Sequence, residues 1–415
     1  MKIAIVGSGI AGLTCAHLLN RRHDITVFEA SDWVGGHTHT VQVTVDGREY
    51  AVDTGFIVFN DWTYPNFIRL LGQLGVPFKP TQMSFSVTDP DSGLEYNGNN
   101  LNSLFAQRSN LLSPGFWGML RDILRFNKEA QRDLAEQRIA ADTTLDDYLK
   151  AGGYGERFIL HYIVPMGSAI WSMPMAEMLN FPLQFFVRFF KNHGLLSVSD
   201  RPQWQVIEGG SSAYVAPLTA AFKDKIRLSC PVTRIDRDEH GVVIHSPAGI
   251  ERFDKVVLAC HSDQALQLLG TPSQAERSIL GALPYADNEV VLHTDTRLLP
   301  TRKLAWASWN YRLSGAGHTH AAVTYDMNIL QGIQSDTTFC VSLNQSAGIS
   351  PFKVLARYTY AHPQFSLAAV AAQNRWAELD GQQHTHYCGA YWANGFHEDG
   401  VVSALRVAAA FGENL

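Results

Sequence analysis

Cysteine is scarce in this chain, and none of its five cysteines belongs to a C-x-x-C pair. Cysteine metal centres and thiol redox sites use such close spacing, so the sequence predicts neither. Cys15 falls on a predicted helix and Cys260 at the end of a predicted strand, and both are expected to be core thiols. No metal site is predicted, and the chain fits a reducing cytoplasm.

Long apolar runs and basic clusters are also missing. No segment approaches the ~18 apolar residues that a membrane-spanning helix needs. The apolar N-terminus is interrupted by glycines and lacks the cleavage pattern of a signal peptide. A formal net charge of −6 argues against a nucleic-acid partner. The sequence therefore predicts a cytoplasmic protein that does not bind nucleic acid.

The chain does have enough apolar sequence for a large core. Of its 415 residues, 46% are hydrophobic and 17% are charged. This length exceeds one typical domain, so about two domains are expected.

The most informative segment is the first 36 residues. An apolar strand over 2–6 leads into a G-x-G-x-x-G turn and a predicted helix. Gly7 permits the tight turn, Gly9 lets the backbone approach a pyrophosphate, and Gly12 lets the helix pack on the strand. The N-terminus of that helix would then face the phosphates. This pattern predicts a dinucleotide site.

An acidic residue supports this interpretation. Glu29 ends the second predicted strand, 17 residues after Gly12. A carboxylate there can accept hydrogen bonds from both ribose hydroxyls and repels a 2′-phosphate, so NADP is disfavoured. The motif alone does not decide between NAD and FAD.

Three further segments address that choice. Gly35 and Gly36 precede a predicted hairpin and the run 53–56; strand-like stretches follow at 230–259; and glycines recur through 387–404. This combination resembles the flavin-containing amine oxidase and phytoene desaturase superfamily, nearest to small bacterial FAD-dependent oxidoreductases linked to fatty-acid modification. The resemblance implies a non-covalently bound FAD.

The resemblance also implies which residues bind FAD. They are Gly7, Gly9, Ile10, Ala11, Gly12, Glu29, Ala30, Gly35, Gly36, His37, Thr38, Thr54, Gly55, Phe56, Val232, Ala259, Gly389, Gly400 and Val401. His37 stands where relatives have arginine, so charge near the pyrophosphate would depend on pH. Gly400 is expected to open a final helix, capped by Asp399 and aimed at the flavin.

The implied fold is an α/β, Rossmann-like, three-layer FAD-binding domain interleaved with an α+β substrate domain. The FAD domain is predicted to comprise 1–63, 205–261 and 382–415. The substrate domain is predicted to comprise 64–204 and 262–381, with a shared cleft between the two. Gly315 and Gly317 lack a third glycine and a following helix, so no second nucleotide site is predicted and the electron acceptor stays open.

The catalytic residues are less well defined. Amine oxidases of the superfamily place a lysine near the flavin, and the corresponding stretch 289–295 has none. Glu398, His397 and His293 are the candidates for an acid or base, and each has an alternative structural role.

Segment 158–190 is rich in Ile, Phe, Met and Trp and poor in charge. A hydrophobic substrate, such as a fatty acyl chain or another lipid, therefore fits better than a small amine. The favoured function is an FAD-dependent oxidoreductase that desaturates this substrate by hydride transfer to flavin N5. The alternatives are an amine oxidase that produces an imine and hydrogen peroxide, and a non-catalytic flavin-binding redox or assembly protein.

One aromatic stripe has two interpretations. Phe185, Phe186, Phe189 and Phe190 recur at helical spacing beside Arg188 and Lys191. Such stripes usually pack inward, so a place in the substrate-domain core is favoured. A peripheral contact with the inner membrane surface is the alternative.

Overall fold

The computed structural model describes residues 1–313 and 321–415. Residues 314–320, which include Gly315 and Gly317, lie outside the described residues. In chain order the helices are α1 (Ile10–Leu19), α2 (Pro65–Leu74), α3 (Leu101–Leu104), α4 (Pro114–Ala135), α5 (Leu145–Ala151), α6 (Glu156–Phe158), α7 (Val164–Trp171), α8 (Met175–Met178), α9 (Leu183–Asn192), α10 (Val215–Thr219), α11 (Ser262–Leu268), α12 (Gln274–Leu280), α13 (Met327–Leu330), α14 (Leu367–Gln373) and α15 (His397–Ala410).

The strands form five sheets within the described ranges. In chain order they are β1 (Lys2–Val6), β2 (Asp24–Phe28), β3 (Thr40–Val45), β4 (Arg48–Asp53), β5 (Val58–Asn60), β6 (Phe78–Pro80), β7 (Phe85–Asp89), β8 (Leu94–Asn97), β9 (Trp204–Ile207), β10 (Ile226–Arg227), β11 (Arg234–Asp238), β12 (Gly241–Ser246), β13 (Gly249–Phe253), β14 (Lys255–Leu258), β15 (Tyr285–His293), β16 (Trp309–Arg312), β17 (Val323–Asp326), β18 (Cys340–Leu343), β19 (Val354–Pro363) and β20 (Thr385–Tyr387).

The first domain is built on a parallel sheet in the order β10-β2-β1-β14-β20. Alternate residues of β1 point to opposite faces: Ile3 and Ile5 pack with α1, α2 and α15, whereas Ala4 and Val6 pack with β11–β13, α11 and α12. Because both faces are covered, β1 is apolar from Ile3 to Val6. This is the predicted three-layer α/β arrangement.

The second domain contains a seven-stranded sheet in the order β19-β15-β18-β17-β16-β7-β8. Helices α4, α5, α7 and α9 pack in one apolar core with buried residues of this sheet. The pairing of β16 with β7 is parallel and joins two segments far apart in sequence. The sheet and helices together form the predicted α+β unit.

The predicted domain boundaries differ from the packing in two places. Helix α2 was assigned to the substrate domain, but Phe67, Leu70 and Leu71 are buried with α1 and α15. Segments containing α11, α12 and α14 likewise pack on the parallel sheet rather than on the second one. The reason is that the apolar face of an amphipathic helix packs on a neighbouring sheet with an uncovered apolar face, even where that sheet belongs to the other domain.

The aromatic stripe of α9 faces inward. Phe186 and Phe190 are fully buried, and Phe185 and Phe189 are nearly so. Their rings surround Trp171, with centroid separations from 4.9 to 6.4 Å. The core interpretation is therefore confirmed, and the rings are not available to touch lipid. Within the described ranges, no helix combines the length and hydropathy needed to cross a membrane.

Candidate functional site

A cavity of about 780 Å³ lies between the carboxyl ends of the parallel strands and the second sheet. This volume is within the ~300–1,000 Å³ typical of ligand and cofactor sites. Its wall combines the glycine-rich turn, the end of β2, segments 35–37 and 55–58, strands β15 and β19, and segment 389–397. The cavity thus joins all three predicted FAD-binding segments.

The three glycines of the turn have different environments. Gly7 has a φ of +103°, and a Cβ there would lie 2.9 Å from the Ala259 carbonyl oxygen. A Cβ on Gly12 would lie only 2.0 Å from the Gly7 carbonyl oxygen, so Gly12 permits the close approach of helix and turn. A Cβ on Gly9 would meet no atom within 4 Å. Gly9 therefore faces the cavity immediately before α1 begins.

Glu29 is fixed at the carboxyl end of β2. One carboxylate oxygen accepts hydrogen bonds from the Ser8 backbone N–H, at 2.8 Å, and from its hydroxyl, at 2.6 Å. The other oxygen accepts from the Ser31 N–H at 2.8 Å. The side chain is held beside the glycine-rich turn and lines the cavity, as expected for a ribose acceptor.

Glu29→Ala is expected to weaken FAD binding by about 1.5–3 kcal/mol, the usual contribution of a charged hydrogen bond. The measurement is the FAD dissociation constant by fluorescence titration, with Glu378→Ala, an exposed glutamate, as control. Unchanged FAD affinity would exclude the ribose role.

Segments 35–37 and 53–56 pack against each other beside the turn. A Cβ on Gly36 would lie 3.1 Å from the Gly9 Cα, and one on Gly55 would lie 2.1 Å from the His37 carbonyl oxygen. The Phe56 N–H donates to that same carbonyl at 2.8 Å. Gly35, Gly36, His37, Gly55 and Phe56 all line the cavity, so the second glycine pair extends the floor begun at Gly9.

Two predicted cofactor residues, Thr38 and Thr54, support the wall from behind. The Thr38 hydroxyl lies 2.6 Å from the Tyr214 hydroxyl and 2.9 Å from His397 Nε2. The Thr54 hydroxyl donates to the His39 carbonyl and contacts the Tyr360 hydroxyl at 2.8 Å. Neither threonine lines the cavity. Both fix groups that do.

The remaining predicted cofactor residues divide in the same way. Those on the cavity wall are Ile10, Ala11, Ala30, Val232, Ala259 and Gly389. Gly12, Gly400 and Val401 are not on it. The structure therefore places most of the predicted set around one cavity.

The final helix begins earlier than predicted. It starts at His397, and Asp399 lies in its first turn, where its carboxylate accepts from the Phe396 N–H at 2.9 Å. Burial raises the pKa of Asp399 to about 7. A Cβ on Gly400 would lie 2.7 Å from Ile10 Cγ2, and Val401 is fully buried. Gly400 therefore lies inside α15 and allows it to pack against α1, while His397 at the start of the helix lines the cavity.

His397 is the one predicted catalytic residue on the cavity wall. Its ring stacks on Phe56 with centroids 3.4 Å apart, and Nε2 lies 3.0 Å from the Tyr214 hydroxyl. Burial and the neighbouring His37 lower its pKa well below the usual value. The imidazole is therefore neutral at pH 7 and is held in a fixed orientation.

Glu398 has a different role from the predicted acid or base. Its carboxylate accepts from the Asn66 N–H and side-chain amide, at 3.1 and 2.6 Å, and from the Phe67 N–H at 2.8 Å. These donors lie in the first turn of α2, where N–H groups have no partner within the helix. Glu398 thus caps α2 and faces away from the main cavity.

Glu398→Ala is expected to reduce the free energy of unfolding by about 1–2 kcal/mol, the cost of losing a helix cap. Because the residue does not reach the cavity, the pH dependence of flavin reduction should keep its shape. The control is Glu177→Ala, at an exposed glutamate in the first turn of α8. If the pH profile of the flavin reduction rate lost one ionisation in Glu398→Ala, Glu398 would again be assigned as the catalytic acid or base.

His293 is also placed away from the cavity. It ends β15, is fully buried, and its Nε2 lies 2.8 Å from the Ser342 hydroxyl. Its Nδ1 accepts from the Asp295 N–H at 3.0 Å. The strand enters the cavity at its other end, through Tyr285 and Asp287. His293 is therefore part of a structural network.

Sequence reasoning missed the residues that β19 and the loop after β14 contribute. His261, His362 and Tyr360 all line the cavity, and none belongs to a recognised motif. The available signal was the position of His261 just beyond a parallel strand, where ligand sites form.

The geometry fits FAD. The cradle at Gly9 is open where a side chain would fill it, the N-terminus of α1 faces it, and Glu29 is fixed beside it. These features provide backbone N–H groups for a pyrophosphate and an acceptor for a ribose.

Comparisons with known proteins agree. The family model described as "Flavin containing amine oxidoreductase" matches residues 10–320. "Putative flavin-containing monoamine oxidase AofH" of Mycobacterium tuberculosis is 24% identical over 275 residues, which cover 62% of this chain and 56% of that protein. The chain thus spans about half the length of this curated relative.

Two further proteins are also similar to this chain. Zeta-carotene desaturase of Solanum lycopersicum is 34% identical over 76 residues, covering 18% of this chain and 12% of that protein. The structure of a CLA-producing fatty acid isomerase from P. acnes has a TM-score of 0.70 at 16% identity, covering 99% of this chain and 98% of that one. At that identity the likeness establishes the fold.

Proposed function

The chain belongs to the flavin-containing amine oxidoreductase family, and we propose that this FAD-dependent enzyme desaturates a long hydrophobic substrate, such as a fatty acyl chain. Proteins similar to this chain are named for monoamines and for a carotene, so family membership leaves the substrate open. The character of the cavity wall supports a hydrocarbon.

The observation that carries the proposal is the apolar part of the cavity wall outside the glycine-rich turn. It is formed by apolar and aromatic side chains, namely Ile57, Val58, Ile170, Trp171, Trp309, Tyr325, Leu330 and Phe365. No lysine or arginine lines the cavity in the described part of the chain. Such a wall suits a ligand that gains free energy by leaving water.

Desaturation removes a hydride from one carbon and a proton from its neighbour, and bound FAD supplies the hydride acceptor. The chain's own residues orient the substrate and exclude water. His397 remains the proposed proton acceptor of the three sequence candidates, because Glu398 and His293 lie elsewhere. Tyr214 and Thr38 hold its ring in place.

Amine oxidation is the second candidate, and one observation favours it. Asp287 lies on the cavity wall, as do Tyr285 and Tyr360. A carboxylate and aromatic faces together can bind an ammonium group. Asp287 is exposed, however, so its attraction for a cation is screened by water.

Anaerobic flavin bleaching separates the two candidates. We expect bleaching by long-chain acyl substrates with loss of two hydrogens by mass, and none by primary amines. Ile170→Asp should suppress acyl bleaching, whereas Ile250→Asp, on exposed β13, should not. Amine bleaching that Asp287→Asn abolishes would overturn the proposal and support amine oxidation.

A further inference from the structure

His37, His261 and His362 line the end of the cavity where the glycine-rich turn is expected to bind a pyrophosphate. His37 follows Gly36, which packs on Gly9 of the glycine-rich turn. The ring centroid of His37 lies 5.9 Å from that of His261 and 5.6 Å from that of His362. All three line the cavity, whose described wall has no lysine or arginine. Among the described residues, no group with the geometry of a metal site is found.

Hydrogen bonds leave nitrogens of this cluster available to a ligand. His37 Nε2 lies 3.1 Å from the Ala361 carbonyl oxygen, which can only accept, so Nε2 carries the proton and Nδ1 is unprotonated in the neutral ring. His362 Nδ1 accepts from the Asn288 amide at 3.3 Å, so Nε2–H is its free donor. The His261 ring stacks on Tyr285 with centroids 4.1 Å apart.

We propose that His37, His261 and His362 form a proton-uptake site that binds the pyrophosphate of FAD. In the superfamily that this chain resembles, a permanently charged arginine follows the paired glycines. This chain has His37 at that position. The two negative charges of FAD would draw at least one proton onto the cluster. This inference rests on FAD binding and is independent of the proposed substrate.

The electrostatics of the cavity agree with this proposal. Burial and neighbouring imidazoles lower the pKa of His37 and His261 to about 4 and that of His362 to about 3. All three are therefore neutral at pH 7 before FAD binds. The titratable groups on adjoining elements are Glu29, Cys260, Tyr285, Asp287, Tyr360 and His397, which line the cavity, and Asp263, which acts on Tyr285. The carboxylates among these do not offset the burial.

The sign of the pH effect follows. A bound anion raises the pKa of the nearest imidazole toward or above neutrality, because the charged form gains a partner. Proton uptake then accompanies binding between the free and bound pKa values, and FAD affinity increases as pH falls. We expect the dissociation constant to increase about threefold to tenfold between about pH 6 and about pH 7.5.

Calorimetry of FAD binding to the FAD-free protein tests this directly. The same titration in buffers of different ionisation enthalpy counts protons, and we expect net uptake of about half to one proton per FAD near pH 6.5. Adenosine, which lacks the pyrophosphate, should bind without uptake. A buffer-independent binding enthalpy for FAD would overturn the proposal, as would equal uptake with adenosine.

Variants locate the proton. The triple variant His37→Gln, His261→Gln, His362→Gln should lose the uptake and the pH dependence. The control His245→Gln, at a histidine paired with Asp236 on the first domain's antiparallel sheet, should keep both. Uptake that survives the triple substitution would overturn the assignment. The wild-type proton count decides the matter even if the triple variant does not fold, and no step requires turnover of a substrate.

Discussion

Gly9→Val is expected to give a folded protein that retains no FAD. A Cβ at Gly9 meets no protein atom within 4 Å, and the backbone φ of −70° suits any residue. The valine methyl groups would instead occupy the cradle where the backbone approaches a pyrophosphate. We expect at least ~100-fold weaker FAD binding, equivalent to about 2.8 kcal/mol.

The experiment compares flavin absorbance of the purified protein with its thermal unfolding. The matched control is Gly72→Val on α2, where a Cβ also meets no atom but lies away from the cavity. Gly12→Val provides the contrasting case, since its Cβ would collide with the Gly7 carbonyl and should impair folding. A Gly9→Val protein that keeps stoichiometric FAD would contradict the placement of the cofactor.

Local sequence patterns were sufficient to predict the glycine-rich turn. Strand β1, the turn, α1 and β2 follow one another directly, so residue spacing determines where Gly7, Gly9 and Glu29 lie. The end of α2 is also a local feature: the helix ends at Leu74, and Gly75 follows with a φ of +66°, which glycine adopts without strain. In both cases the interacting residues are close in sequence.

Roles that depend on distant partners were not predictable. Glu398 caps a helix that begins more than 300 residues earlier in the chain, and the sequence near Glu398 does not predict this contact. The α9 stripe shows which face is apolar but not that Trp171 and Phe181 cover it. The histidine cluster likewise assembles from three separate segments, so its members carry no common spacing.

A buried ion pair behind the cavity gives the second large effect. Arg237 on β11 and Glu276 on α12 are only 2% and 3% exposed, and their second contact is 3.0 Å. Glu276 also accepts from the Tyr387 hydroxyl at 2.6 Å. Tyr387 ends β20, two residues before Gly389 on the cavity wall. The pair therefore anchors the strand that leads into the site.

Arg237→Met is expected to reduce the free energy of unfolding by about 3–5 kcal/mol, because it leaves a buried carboxylate without its cation. Burial works to raise the pKa of Glu276, but hydrogen bonds from Arg237, Tyr387 and Ser273 outweigh it and lower the pKa to about 2. A carboxyl group whose pKa is lower in the folded protein than in the unfolded chain stabilises the fold at pH values above its pKa in the unfolded chain. The wild-type protein should therefore lose this contribution as pH falls from about 4.5 to about 2.

Urea unfolding at neutral and acidic pH measures both effects. The control is Arg375→Met, which removes a cation from an exposed pair with Glu378 and should cost at most ~1 kcal/mol. The double variant Arg237→Met, Glu276→Leu should recover most of the stability, because no unpaired charge then remains in the core. If Arg237→Met proved no more costly than Arg375→Met, the pair would not be buried in solution as it is in the structure. The anchoring of β20 would then have to come from its pairing with β14 alone.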